Sequence, residues 1–219
     1  MDLNNKSIVF LGDSITEGTG TSNPSMVYWR VLETLTGAVC YGYGIGGTRI
    51  AKQYTPSQEP KWDRHFSSRV DEMKRHADIV AVFGGTNDFG HGDAPLGTFA
   101  DETEQSFYGA LHHLIRKLIM QYPSAQLIMM TPLHRQSEDD NPQKNEQHYP
   151  NGKRLVEYVD AISEVAAFYG IPVLDLYRTC SMQPRLPVMQ ERFMPDGLHP
   201  NDAGHALIAR RLAGFLRSL

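Results

Sequence analysis

Apolar residues along the chain fall into two alternating patterns. Short unbroken runs occur at 7–11, 38–43, 77–83, 126–130 and 171–176. Each is bounded by Gly, Pro or polar residues, as expected of strands buried on both faces. Between them the apolar positions recur three and four apart. Tyr28, Val31, Leu32 and Leu35 form one such stripe, and Phe66, Val70 and Met73 a shorter one. Phe107, Leu111, Leu114, Ile115 and Leu118 form a third, and Leu155, Val159, Ile162 and Ala166 a fourth. Ile208, Leu212, Phe215 and Leu216 make the last. That spacing puts each set on one face of a helix. Gly37 stops the first helix, and Asn201 is the expected N-cap of the last.

Strands alternating with helices of this length imply βαβ units and a parallel sheet covered on both faces. Right-handed crossovers leave few topologies for five strands. The expected fold is a three-layer α/β, flavodoxin-like one with strand order 2-1-3-4-5. No repeat or linker divides the chain, so residues 1–219 are expected to form a single domain. Ligands in open α/β sheets bind beyond the carboxyl ends of the strands. The loops after strands one, two, three and five should therefore converge.

Those loops carry the unusual residues. Gly12-Asp13-Ser14-Ile15-Thr16-Glu17-Gly18 follows the first strand, and Gly42-Tyr43-Gly44-Ile45-Gly46-Gly47-Thr48 ends the second. Gly84-Gly85-Thr86-Asn87-Asp88 follows the third, and Asp196-Gly197-Leu198-His199-Pro200 precedes the last helix. Together they supply a hydroxyl, backbone donors, a side-chain amide, and a carboxylate three residues from an imidazole. Those are the parts needed for acyl transfer by an activated serine.

The four blocks, in this order and over nearly the whole chain, closely resemble the SGNH hydrolases, also called the GDSL esterase/lipase family. The resemblance implies Ser14 as nucleophile, Gly47 (in preference to Gly46) and Asn87 as oxyanion donors, and Asp196 and His199 completing a triad. It also implies a flavodoxin-like fold and no metal or organic cofactor. The chemistry is consistent with those roles. A serine hydroxyl needs an adjacent base, and an imidazole suits both removal and return of a proton. A carboxylate beside the ring fixes its tautomer and stabilises the imidazolium. Asp13 and Asp88 are expected to bond loop backbone rather than react.

Length and charge narrow the class further. The chain of 219 residues can bury a sizeable core without staples. Its formal charge of −4 offers no basic surface for nucleic acid. The opening residues show no basic stretch followed by a long apolar run, and no run spans a membrane, so a cytoplasmic protein is expected. Cys40 and Cys180 have no ligand partners at metal spacing and are expected to be buried hydrophobes. The remaining histidines show no metal-ligand spacing. The G-x-G-x-x-G of residues 42–47 lacks the context of a dinucleotide site, so no cofactor is expected.

Two long irregular segments, 49–61 and the polar 132–151, are expected to border the site. Arg49, Phe89, His91, His134 and Met194 are candidate substrate-binding residues by their position. The expected substrate is a small or medium acyl ester, with an acetylated carbohydrate as one option. A lysophospholipase or thioesterase with the same triad, or a catalytically silent binding module of this fold, are the alternatives. The sequence leaves the oligomeric state open.

Overall fold

A computed structural model describes residues 1–138 and 153–219. Five parallel strands form one sheet in the order β2-β1-β3-β4-β5. They are β1 (Ser7–Gly12), β2 (Val39–Gly44), β3 (Ile79–Phe83), β4 (Gln126–Met130) and β5 (Val173–Leu174). The long helices are α2 (Tyr28–Thr36), α4 (Phe107–Gln121), α5 (Leu155–Phe168) and α8 (Asp202–Ser218). Shorter ones are α1 (Ser14–Glu17), α3 (Thr86–His91), α6 (Leu176–Thr179) and α7 (Pro187–Phe193).

Alternation along the strands divides the core into two layers. Val9, Leu11, Val80, Val82, Leu127 and Met129 face one side, where α4 and α5 supply Phe107, Leu111, Leu114, Tyr158 and Ile162. Ile8, Phe10, Ile79, Ala81, Phe83, Ile128 and Met130 face the other, where α2 and α8 supply Tyr28, Leu32, Ile208 and Leu212. Because successive side chains point to opposite faces, an apolar run without alternation fills both layers. Cys40 and Cys180 are free and buried, and burial pushes the two thiols up to about 12 and about 11.

The structure departs from the pattern read in the sequence in three ways. Residues Phe66–Glu72 form a 3₁₀ helix rather than an α-helix. Its first turn is closed by Ser68, whose amide and hydroxyl both donate to His65 O, a local bond that serine favours over the α ladder. The fifth strand is two residues long. Asp175 ends it by accepting the amide of Arg178 and so starting α6. The helices α1, α3, α6 and α7 are too short to leave a periodic trace. Among the described residues no helix is long and apolar enough to cross a membrane.

Candidate active site

At the carboxyl end of β1 the chain passes directly into α1. Asp13 caps that helix by accepting the amide of Ile15 at 3.0 Å, and Ser14 is its first residue. Asp13 is fully buried, and burial, opposed by the Ile15 bond and reinforced by nearby Asp88, raises its carboxyl to about 7. Gly18 ends α1 in the left-handed region, at φ 106°, where glycine has no Cβ penalty.

Ser14 Oγ lies 3.0 Å from His199 Nε2 across 185 positions of sequence. His199 Nδ1 lies 2.7 Å from Asp196 Oδ2. The other carboxylate oxygen, Oδ1, accepts the amides of Leu198 and His199 at 2.9 and 2.6 Å. Partial burial works against ionisation of Asp196, but these bonds and the imidazole hold its carboxyl below the usual range. An ionised carboxylate can only accept, so the proton on the ring belongs to Nδ1. Nε2 is then left with its lone pair toward the serine hydroxyl.

The Asp196–His199 turn is fixed from both sides. Gly197 O accepts the amide of Gln136, from the segment after β4, at 2.8 Å. Asn201 accepts the amide of Gly204 to cap α8, and its Nδ2 donates to Arg192 O at the end of α7. On the other flank, a Cβ on Gly20 would overlap Pro200 O and lie 3.2 Å from His199 Cβ.

Opposite this turn stand the loops after β2 and β3. Gly46 adjoins the serine, since a Cβ built on it would lie 3.6 Å from Ser14 Cβ. The Gly46 amide donates to Glu17 Oε2 at 3.0 Å, so it is already engaged within the fold. Gly47 has φ 76°, and a Cβ there would overlap the indole of Trp62. Asn87 is buried on α3, and its Nδ2 donates one bond, to Thr48 O at 3.0 Å. Asp88 accepts the amides of Ile50 and Ala51 at 3.0 and 2.9 Å, tying α3 to the loop after β2. Burial outweighs these bonds and lifts its carboxyl to about 6.

Arg69, unmarked in the sequence, joins the loops beneath the site. Its guanidinium donates to Gly12 O, Tyr43 O and Thr48 Oγ1 at 3.0, 2.8 and 3.1 Å. It thereby bridges the ends of β1 and β2, and burial lowers its pKa to about 10. A buried cation whose partners lie at the ends of distant strands leaves no periodic signature.

The candidate substrate-binding residues divide into three groups. Phe89 and Met194 fill the core, 3% and 1% exposed, and have no surface to offer a ligand. Phe89 packs edge-on against Tyr158, and Met194 O accepts the amide of Gly197 beneath the triad turn. His134 pairs with Glu138 at 2.6 Å and lies 3.9 Å over Tyr177. Arg49 and His91 meet each other: Nη1 of the buried Arg49 is 2.9 Å from His91 Nδ1. Since a guanidinium can only donate, that ring nitrogen is unprotonated. Desolvation and the guanidiniums of Arg49 and Arg135 lower the His91 pKa to about 4. Trp62, which the sequence did not single out, joins this pair with its ring 5.0 Å from that of His91. Of the segment 132–151, residues 139–151 lie outside the described residues.

Among the described residues there is no cluster of three or more His, Cys, Asp or Glu able to hold a metal ion. His112, on α4, bonds Tyr169 Oη and Phe99 O.

A hydroxyl, an imidazole and a carboxylate in sequence at the carboxyl edge of a 2-1-3-4-5 sheet define a class. The chain belongs to the GDSL-like Lipase/Acylhydrolase family, whose model matches residues 10–207, and is a hydrolase of the carboxylic-ester type. It is similar to a crystal structure of a Lactobacillus plantarum protein, 33% identical, with a TM-score of 0.83 over 98% of each chain. A protein of Chitinophaga pinensis described as a possible lipase is 22% identical, with a TM-score of 0.71 over 97% of this chain and 98% of that one. A two-domain esterase active on acetylated mannans is 21% identical, with a TM-score of 0.64 over 97% of this chain and 48% of its own. No curated protein matches the chain.

Proposed function

We propose that the protein is a serine esterase that cleaves small or medium acyl esters through an acyl-enzyme, with Ser14 as nucleophile. The observation that carries this reading is the continuous line from Ser14 Oγ to His199 Nε2 (3.0 Å) and from His199 Nδ1 to Asp196 Oδ2 (2.7 Å). His199 takes the serine proton as Oγ attacks the ester carbonyl and returns it to the leaving alkoxide. Asp196 holds the Nδ1–H tautomer and stabilises the imidazolium formed in between. Water then repeats the sequence on the acyl-enzyme, with His199 again as base.

The oxyanion formed at each attack meets three donors in this reading: the amides of Ser14 and Gly47 and the side-chain amide of Asn87. Gly47 is preferred to Gly46 because the Gly46 amide is occupied by Glu17. The Asn87 amide has two hydrogens, of which Thr48 O takes one. The second is available to an oxyanion. No metal or organic cofactor enters this mechanism. A hydrophilic ester such as an O-acetylated sugar suits the polar sequence of the segment 132–151. An esterase active on acetylated mannans is among the structures this chain resembles.

Hydrolysis of p-nitrophenyl esters by wild type and Ser14→Ala tests the reading directly. Turnover should fall by roughly 10⁴–10⁶ in the variant. Mass spectrometry after treatment with an organophosphonate should show one adduct, on Ser14. Wild-type turnover in Ser14→Ala would reject the assignment.

A further inference from the structure

Trp62 stands between the proposed oxyanion corner and a cavity. One edge of its indole abuts Gly47, where a Cβ would overlap Nε1 and Cδ1. The same residue lines a cavity of about 370 Å³ together with Arg49, Gln53, Ser57, His91 and Asp93. Gly47 is not part of that lining. The indole is therefore a partition, with a candidate reaction centre on one side and open space on the other.

The partition is held rigidly. Trp62 sits in the 3₁₀ turn Pro60–Asp63. Arg49, its side chain 3% exposed, donates to Trp62 O at 3.3 Å and to Asp63 Oδ1 at 3.0 Å. Asp63 also accepts the amide and hydroxyl of Ser57, and these bonds, the Ser57 hydroxyl foremost, hold its carboxyl ionised. Arg49 reaches His91 as well, which stands one helical turn after Asn87 and so shares its face of α3. One buried guanidinium thus holds the backbone of Trp62 and the ring of His91, and the two rings lie 5.0 Å apart.

The direction of the ester follows from the proton. The leaving oxygen must receive its proton from His199, so the alcohol portion lies on the side of His199, Gly20 and the Asp196 turn. The acyl chain extends the other way, toward Trp62, which abuts Gly47, and His91, whose ring lies 5.0 Å from the indole. We infer that Trp62 is the acyl-length determinant of this enzyme: its anchored indole closes the acyl side just beyond the carbonyl, confining the substrate to acetyl and similarly short acyl groups. This rests on the serine-esterase reading above.

The measurement is kcat/KM for p-nitrophenyl acetate, butyrate and octanoate, with wild type, Trp62→Ala and Trp62→Phe. Wild type should favour acetate. Trp62→Ala joins the site to the cavity, and its octanoate-to-acetate ratio should rise about tenfold or more, the discrimination a few methylenes can carry. Trp62→Phe, which keeps a ring and guards against a folding defect in the alanine variant, should give an intermediate ratio. A wild type that cleaves octanoate as well as acetate would overturn the inference, as would an unchanged ratio in both folded variants. Failure of wild type to turn over any ester or to label at Ser14 would instead reject the serine-esterase reading beneath it.

Discussion

Two polar side chains of the candidate site, Asp196 and Asn87, commit only part of their hydrogen-bonding capacity to the backbone. Asp196 spends one oxygen on two backbone amides and leaves the other for His199. Asn87 spends one amide hydrogen on Thr48 O. If the second stabilises the oxyanion, Asn87→Ala should lower kcat by about 10²–10³ with a much smaller change in KM, because that bond forms only as charge develops. Steady-state kinetics on a short-chain ester would detect it, and an equal loss through KM alone would speak against the role. The sequence singles out Ser14 and Asn87 by Gly-containing blocks at strand ends, where an open sheet gathers its ligands, and Asp196 and His199 by one short turn before the last helix. It does not single out Trp62 or Arg69. Their importance comes from what they touch across the fold, Gly47 for one and the ends of β1 and β2 for the other. Neither contact has a local spacing to betray it.

At the scale of elements, the longest stripes were the most readable. The pattern around Phe107 and that around Leu155 mark helices that begin at those residues, and 126–130 marks a strand at its observed bounds. The fifth strand was overextended because Ile171, Pro172, Leu174 and Leu176 continue an apolar run while only two residues pair with β4. Asn201 was readable as an N-cap, and the structure gives it a second task in joining α7 to α8 beside the Asp196–His199 turn. Asn201→Ala removes both bonds and should cost about 0.5–2 kcal/mol of stability. Urea denaturation would register this as a lower midpoint at unchanged slope.

For the molecule as a whole, buried charge sets the response to pH. Asp13 carries a folded pKa of about 7 against 3.8 for the free side chain, so between those values the folded state binds the extra proton. Its contribution to stability is therefore present at low pH and lost as pH rises from about 4 to 7. Asp88 acts in the same direction up to about 6, whereas His91 and His205, both lowered to about 4, oppose it below 6.5. The difference between wild type and Asp13→Asn isolates one group. The variant's stability relative to wild type should increase steadily from pH 4 to 7 and level off above. Thermal melts across that range would show it, and a flat difference would mean that Asp13 titrates normally.

The distance along the chain between Ser14 and His199 also bears on synthesis. β1, α1 and the loop that presents Ser14 precede in synthesis the turn carrying Asp196 and His199, which is held by α8, whose Ile208 and Leu212 pack into the same layer as Tyr28 and Leu32 of α2. A ribosome-bound chain that has not yet released α8 holds a complete serine corner with no base to activate it. If Ser14 and His199 act together as proposed, hydrolytic competence arrives in one step when α8 docks, rather than accumulating as the sheet is built.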